Sequence, residues 1–236
     1  MKNLMIAIAV TMSMLSYSQM AENLTYGLKA GVNYSEITNI PELIVSEPYY
    51  QGYTLESKPK IMPTFGFFLN YKFPYTRIAL QPELNYSMEH SSVEYSDIND
   101  LQYTIDLKYN YLQVNSLVKF YPISGLNIGI GPQLGFNLDP SNLHYKSNQE
   151  ELYGPDLTTQ QILRDNIKGR TNFQLLFNLG YETNFGLFMD VRYALGLSDA
   201  VETHANSFNW IENENRTQNI QITIGYAFNF DSRETF

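Results

Sequence analysis

The sequence predicts an all-β fold, an eight-stranded antiparallel up-and-down transmembrane β-barrel, and three observations support this prediction. Apolar residues recur at every second position in eight runs, which is the period of a strand and not of a helix. The segments between the runs are alternately long and short. The apolar positions of all eight runs hold no Asp, Glu, Lys or Arg.

Residues 1–19 are predicted to be a secretory signal peptide, and residues 20–236 the barrel domain. Lys2 gives a short positive start, residues 4–15 are mostly apolar, and the small residue Ser18 stands beside the expected cleavage point. A buried N-terminal helix is the alternative, but no helical period continues after it. The sequence therefore indicates export through a cleaved signal peptide.

Each run sets bulky apolar side chains against small or polar ones on the opposite face. The fifth run is the clearest, since every second residue from Leu126 to Leu138 is apolar and the residues between them are Gly, Asn or Gln. The fourth run is the weakest, because Ser116 lies on its apolar face. In order, the runs cover residues 26–35, 64–73, 77–88, 112–120, 126–138, 172–182, 189–198 and 219–230.

The connections between the runs alternate in length, and this pattern distinguishes one architecture from others. Short turns at one end and long loops at the other, joining an even number of strands, are typical of outer-membrane barrels. Both termini are then expected in the periplasm and the four long loops outside the cell. The long connections are residues 36–61, 90–106, 139–170 and 199–217, and the short ones are 74–75, 122–125 and 183–186.

Lipid rather than water is the predicted neighbour of the apolar faces. A soluble lipid-binding barrel, the weaker alternative, also alternates but turns its apolar face inward. Here that face is too bulky in Phe, Tyr, Leu and Ile for so narrow an interior, whereas the Gly, Ala, Ser and Asn of the other face fit. Tyr and Phe gather near the run ends, as in aromatic girdles at the two membrane surfaces.

The composition excludes several classes of function. Fifteen Lys and Arg stand against 24 Asp and Glu, for a formal net charge of −9, and this balance argues against nucleic-acid binding. The chain has no Cys, so it forms no disulfide, thiolate metal site, Cys nucleophile or iron–sulfur cluster. No cofactor and no metal are predicted, because the acidic residues of the loops are scattered and form no dense oxygen cluster.

The inward faces carry charged residues, and we expect these to pair. Inside an eight-stranded barrel the charges cannot all be hydrated, so opposite charges must meet. The favoured interpretation is a structural ion-pair network that plugs the lumen, and a proton or ion pathway is the alternative. The predicted members are Lys29, Lys72, Arg77, Glu83, Lys119, Glu182, Asp190 and Arg192.

The three histidines, His90, His144 and His204, are all predicted to lie in long loops. An imidazole beside an acid, such as His90 beside Glu89, has the chemistry of a general base. A small outer-membrane enzyme, a protease or a lipid-modifying enzyme with a loop-borne site, is therefore the alternative function. No recognisable catalytic spacing accompanies these histidines, so we favour a non-enzymatic protein.

The loop at residues 139–170 is unusually long for a structureless segment, and such loops tend to be functional. Leu157, Ile162, Leu163 and Ile167 are spaced as on one face of a short amphipathic helix. This helix is expected either to cap the barrel mouth or to present a surface to a partner.

Three strand motifs resemble those of a known family. Residues 80–87 (LQPELNYS), 129–132 (GIGP) and 189–197 (MDVRYALGL) look like recurring strand motifs of Bacteroidota outer-membrane β-barrel proteins, the PorT-like family. The resemblance implies a structural, envelope or secretion-associated role in the outer membrane. It also implies outer-membrane lipid and secretion or envelope proteins as partners.

The last strand resembles the signal by which the barrel-assembly machinery recognises its clients. Its elements are a polar residue, a glycine and two spaced aromatics, here Thr223, Gly225, Phe228 and Phe230. The resemblance implies that this machinery is a further partner. The tail at residues 231–236 is a departure, since such signals often stand at the extreme C-terminus.

Overall fold

The computed structural model describes residues 23–39, 53–203 and 215–229, which form eleven strands and two helices. Within these ranges no helix is long and apolar enough to cross a membrane. The predicted signal peptide, His204, Phe230 and the tail at 231–236 lie outside the described residues. The strands are β1 (Leu24–Ile37), β2 (Tyr53–Lys72), β3 (Ile78–Asp97), β4 (Gln102–Phe120), β5 (Leu126–Asn137), β6 (Leu143–Ser147), β7 (Ile167–Gly169), β8 (Asn172–Glu182), β9 (Leu187–Asp199), β10 (Val201–Thr203) and β11 (Arg216–Asn229), and the helices are α1 (Glu150–Tyr153) and α2 (Leu157–Asn166).

Eight of these strands close into a ring, which confirms the predicted fold. The order around the ring is β1, β2, β3, β4, β5, β8, β9 and β11, and β11 returns to pair with β1. Every pair of neighbours in the ring is antiparallel. Two of the predicted short turns contain a glycine with a positive φ, Gly125 and Gly186, a conformation that other residues adopt only with strain.

The two faces of the ring have opposite character. Apolar side chains point outward and are exposed, as at Phe65 (53%) and Ile224 (55%), whereas polar side chains point inward and are buried, as at Arg192 (2%). A soluble barrel has the reverse arrangement, with its apolar residues inside. The alternative of a soluble lipid-binding barrel is therefore wrong.

One of the predicted long loops is largely strand, and a second is partly strand. β3 continues to Asp97 and β4 begins at Gln102, so only residues 98–101 connect them and the predicted loop at 90–106 is wrong. Likewise β2 begins at Tyr53, within the predicted loop at 36–61. The physical reason is that these strand ends extend beyond the apolar band, where lipid no longer requires an apolar residue at every second position.

The segment at 139–170 is also structured rather than a plain loop. It contains β6, α1, α2 and β7. α2 confirms the helix predicted from Leu157, Ile162 and Leu163, whereas the assignment of Ile167 to this helix is wrong, because the helix ends at Asn166 and Ile167 begins β7. β4 pairs with β5 along residues 111–120 and with β6 along residues 103–107. The single strand β4 therefore belongs both to the ring and to a sheet beyond it.

The structure beyond the ring has a hydrophobic core of its own. We call this part the head; it comprises the distal parts of β1, β2, β3 and β4 together with β6, α1, α2, β7, Ala200 and β10. Tyr103, Tyr145 and Leu163 pack around the margin of its core. The buried core residues are Ile37, Val93, Ile105, Leu107, Tyr109, Tyr111, Leu143, Ile167, Ala200 and Val201.

Candidate functional site

Five of the eight charged residues predicted to face the lumen meet in one place, which we call the lumen cluster. Its members are Lys29 on β1, Glu83 on β3, Lys119 on β4, and Asp190 and Arg192 on β9. Each occupies an inward position of its strand and is buried. Closure of the ring is what brings these distant parts of the sequence together.

Glu83 is the centre of the lumen cluster. Its two carboxylate oxygens accept hydrogen bonds from Nη1 and Nη2 of Arg192 at 2.6 and 2.7 Å. Nζ of Lys29 donates to Oε2 at 2.5 Å, and Nε2 of Gln81 donates to Oε1 at 2.6 Å. A bidentate pair of this kind fixes orientation as well as charge.

Asp190 extends the network on the other side of Arg192. Its Oδ2 accepts from Nη2 of Arg192 at 2.9 Å, and its Oδ1 lies 3.8 Å from Nζ of Lys119. Asn178 binds the third nitrogen of the guanidinium, since its Oδ1 accepts from Nε of Arg192 at 2.8 Å. Both carboxylates and the guanidinium are thus satisfied within the protein.

The lumen cluster contains three cations and two carboxylates, and none of these residues is more than 5% exposed. Removing such charges from water is unfavourable, and hydrogen-bonded pairing offsets this. Glycines on the inward faces provide the room: a Cβ at Gly66 would meet Lys29 and Asn85, and one at Gly180 would meet Asp190. The arrangement fills the middle of the lumen with side chains locked to one another.

Neutral polar residues continue this filling toward the head, and the sequence analysis did not single them out. Asn115 donates to Gln133 at 3.1 Å, Gln133 donates to Gln174 at 2.6 Å, and Gln113 donates to Glu89 at 3.0 Å. The signal that identifies them is the inward parity that they share with the charged residues. Uncharged amide side chains therefore fill the lumen together with the ion pairs.

The other three predicted residues lie at the end of the barrel where the short turns connect the strands. Lys72 and Glu182 pair at 3.3 Å, and Tyr121 donates a hydrogen bond to the same carboxylate oxygen at 3.4 Å. Arg77 does not join the network: it is exposed, and its Nη1 donates to the carbonyl of Pro122 at 3.0 Å. The reason is that Arg77 precedes β3 and lies in a turn, so strand parity does not govern its direction.

Two aromatic side chains fill the lumen between the lumen cluster and the Lys72–Glu182 pair. Phe68 and Phe188 are buried and meet edge to face, with their ring centroids 5.1 Å apart. Each lies against a glycine, Gly27 and Gly225 respectively, where any side chain would collide with the ring. Gly225 of the predicted assembly signal thus has a packing role in the folded barrel.

The remaining described residues of the predicted assembly signal lie on both faces of β11. Thr223 is buried in the lumen. Phe228 points outward and stacks on Tyr26, with ring centroids 5.4 Å apart. Recognition by the assembly machinery stays a prediction.

His90 and His144 lie on strands of the head, on β3 and β6, so their predicted placement in loops is wrong. These strands extend beyond the lipid, so their outward positions carry polar residues. Without the apolar alternation, the sequence resembles a loop there. Nε2 of His90 lies 2.9 Å from Oδ1 of Asp106, which is directly opposite His144 across the β4–β6 ladder. Within the described ranges, no three acidic or histidine side chains form a metal-binding group.

α2 is capped and only partly packed against the head. The carboxylate of Asp156 accepts from the backbone N–H of Thr159 at 2.9 Å and from its hydroxyl at 2.6 Å, and these bonds lower the pKa of Asp156. Leu163 packs on the head core, whereas Leu157 and Ile162 are exposed. The helix therefore covers the head with one side and leaves apolar side chains on the other.

Comparisons with known proteins indicate a family. A sequence model described as "Outer membrane protein beta-barrel domain" matches residues 17–202. No curated protein matches the chain. Neisserial surface protein A has a solved structure that is 9% identical, with 86% of this chain and 97% of that chain covered and a TM-score of 0.42. Ail, the attachment invasion locus protein of Yersinia pestis, is 10% identical, with 87% and 99% covered and a TM-score of 0.40.

Proposed function

We propose that this chain has a non-enzymatic role in the cell envelope. It belongs to the outer membrane protein β-barrel domain family. The barrel is a closed membrane anchor, and the head is the part that meets other molecules outside the cell. A PorT-like, secretion-associated role is the form of this function that the strand motifs favour. Insertion then depends on the barrel-assembly machinery.

The observation that carries this proposal is the lumen cluster. Arg192 and Glu83 come from strands at opposite sides of the ring, and their side chains meet between them. A barrel of about eight strands has an interior just wide enough for side chains to fill. The interior therefore serves stability rather than the passage of solutes.

The head supplies a surface for a protein partner. Four apolar side chains of α1 and α2 are exposed there: Leu152 (80%), Tyr153 (84%), Leu157 (69%) and Ile162 (49%). Grouped exposed apolar residues mark interaction sites more often than isolated ones do. An envelope or secretion protein that covers these residues is the expected partner.

Two measurements test the proposal. Planar-bilayer recording of the purified protein should show no stable conductance, and a steady nanosiemens pore would contradict the plug. Mild-detergent purification from the native membranes should recover an envelope protein with the wild type but not with a variant in which Tyr153, Leu157 and Ile162 are changed to Ser. Recovery that is equal for both would exclude this surface as the contact.

A further inference from the structure

The edge strand β6 is covered by side chains and not by another strand. β6 pairs with β4 on one side, and in the part of the chain that the structure describes no strand pairs with its other side. An open edge presents backbone N–H and C=O groups to which another chain can bond, and native proteins often cover such an edge with a helix or a loop. In this chain α1 and α2 form the cover.

The pairing of β6 identifies the backbone groups that face away from β4. At one end the N–H of Lys108 on β4 donates to the carbonyl of Asn142 at 3.0 Å. At the other end the N–H of Asn148 donates to the carbonyl of Gln102 on β4 at 2.9 Å. Residues that bond to the neighbouring strand alternate with residues that do not. The odd-numbered residues 143, 145 and 147 of β6 therefore direct their N–H and C=O groups to the edge.

Side chains of α2 bind these same edge groups. Nε of Arg164 donates to the carbonyl of Leu143 at 2.7 Å. The N–H of Tyr145 donates to Oε1 of Gln160 at 3.4 Å. Gln160 and Arg164 are four residues apart, so they lie on one face of the helix. Their side chains take the place that the backbone of one more strand would take.

The cover is held by few contacts. α1 adds one bond, from the N–H of Ser147 to Oε1 of Glu150 at 3.3 Å. No residue of α1 or α2 is buried, and Leu163 packs only on the margin of the head core. Two of the three covering bonds, at 3.3 and 3.4 Å, are longer than is usual for an N–H donor. Detaching the cover therefore leaves the buried core of the head in place.

We propose that α1 and α2 are a removable cover, and that the uncovered edge of β6 binds an extended segment of a partner protein as an added strand. Backbone hydrogen bonds give such binding its affinity, and side chains at alternate positions give it specificity. This edge is distinct from the exposed apolar residues of α1 and α2. Loss of binding at one of these two surfaces leaves the other testable.

The two faces of β6 specify an added strand that alternates apolar and acidic residues. On the core side, an apolar residue beside Tyr145 takes the place that Leu163 leaves. On the other side, Lys146 is exposed and lies opposite the uncharged Thr104 of β4. Among the described residues, no carboxylate lies within ion-pair distance of Lys146. An acidic residue directly across from it on the added strand supplies the missing partner.

A second copy of β6 does not meet this requirement. Antiparallel pairing of two β6 strands about Tyr145 would place Lys146 opposite His144, so it would offer no acid. His144 itself already lies opposite Asp106 on β4. The occupant is therefore a segment of a different protein.

The test uses short synthetic peptides and the full protein in lipid nanodiscs. One peptide alternates Val and Glu, and the control peptide alternates Val and Lys, so the two differ in the sign of their charge. Amide hydrogen exchange followed by NMR reports where a peptide binds. The Val/Glu peptide should slow exchange at Tyr145 and Ser147, which face the edge, more than at His144 and Lys146, which face β4.

The variant Gln160→Ala/Arg164→Ala removes two covering side chains and keeps a helix-favouring residue at both positions. It should bind the Val/Glu peptide about tenfold more tightly than the wild type, because the loss of two hydrogen bonds raises the fraction of protein with an open edge. Gln161→Ala/Lys168→Ala removes an amide and a cation at exposed positions and should behave as the wild type. Lys146→Glu should reverse the preference between the two peptides.

Four results would overturn the proposal. These are no binding of the Val/Glu peptide to the Gln160→Ala/Arg164→Ala variant, equal binding to this variant and the wild type, equal affinity for both peptides, and binding that leaves exchange at Tyr145 and Ser147 unchanged. Dimerisation of the variant without peptide would make a second copy the occupant and would also overturn it. Unboiled gel mobility verifies that each barrel is folded. If the double variant disturbs the head, Gln160→Ala alone carries the test with the same expected direction.

Discussion

Arg192 on β9 and Glu83 on β3 form a bidentate ion pair across the diameter of the barrel, at 2.6 and 2.7 Å. The two strands are separated by three others whichever way the ring is followed. No backbone hydrogen bond can join strands so placed, so side chains alone connect opposite walls. The pair is therefore a cross-link within the membrane-spanning ring.

Glu83→Gln is expected to destabilise the barrel by about 3–5 kcal/mol, because Arg192 and Lys29 lose their buried carboxylate partner. Urea unfolding in phospholipid, followed by unboiled gel mobility, measures this. Glu182→Gln is the control, since its pair with the half-exposed Lys72 is worth about 1 kcal/mol or less. Equal effects of the two variants would show that the lumen cluster has no special weight.

Gly180→Ala is expected to lower stability by about 1–3 kcal/mol, because the added Cβ occupies the space of the Asp190 carboxylate and pushes it from Arg192. Gly129→Ala is the same change on the same inward face. Its Cβ meets its neighbours Lys119 and Asn178 at 3.2 and 3.4 Å, and a small adjustment relieves this. Thermal unfolding should rank Gly180→Ala clearly below Gly129→Ala, and the reverse order would refute the steric argument.

Ile224→Arg tests which face of the ring meets lipid. Ile224 is the third of five outward residues that alternate from Ile220 to Phe228 on β11, so it lies near the middle of the apolar band. A charge there should destabilise the folded barrel by about 2–4 kcal/mol, whereas Ile220→Arg at the edge of the band should cost about 0–1 kcal/mol. Refolding titrations in lipid vesicles would measure both. A barrel facing water would tolerate both changes equally.

Leu143→Ala tests whether the head has a core of its own. Leu143 is fully buried in that core (0% exposed), so truncation should cost about 2–5 kcal/mol of local stability. The same truncation at the exposed Leu157 should change it by no more than about 0.5 kcal/mol. Protease cleavage of the head in vesicles is the readout, with gel mobility of the barrel unchanged. Matching cleavage rates for the two variants would argue against a packed head.

The cap of α2 should respond to acid. Hydrogen bonds from Thr159 lower the pKa of Asp156 from its ordinary value of 3.8, so the folded state holds this proton less tightly than the unfolded state does. The contribution of the cap is therefore complete above that ordinary value and is lost as the pH falls through the folded pKa. Hydrogen exchange of residues 157–166, corrected for intrinsic rates, should accelerate on acidification in the wild type. Asp156→Asn keeps an acceptor without a proton to gain, so its exchange should not show this acceleration.

The eight ring strands could be predicted from the sequence because lipid imposes a strict rule on one face. No charged residue occupies an outward position of the apolar band. The alternation can therefore be recognised even in the fourth run, where Ser116 interrupts it. Beyond the band this rule ends. The distal parts of β3 and β4 carry polar residues such as His90 and Asp106 outward, and the sequence alone makes them look like a loop.

The membership of the lumen cluster was only partly predictable, for a different reason. Inward parity identifies Glu83 and Arg192 as lumen residues, but they are 109 positions apart in the sequence. Their contact depends on the closure and stagger of the whole ring, which no local pattern encodes. Arg77 shows a second limit of such prediction. It lies one residue before β3, so the alternation of the strand does not determine the direction of its side chain.

The double pairing of β4 has a mechanical consequence. Because β4 pairs with β5 in the ring and with β6 in the head, and pairs with β3 along almost its whole length, two uninterrupted backbones run from the membrane to the hairpin tip at 98–101. A lateral force on the head is then transmitted through these two strands to the wall of the barrel. The tilt of the barrel in the membrane sets the angle at which the head is held.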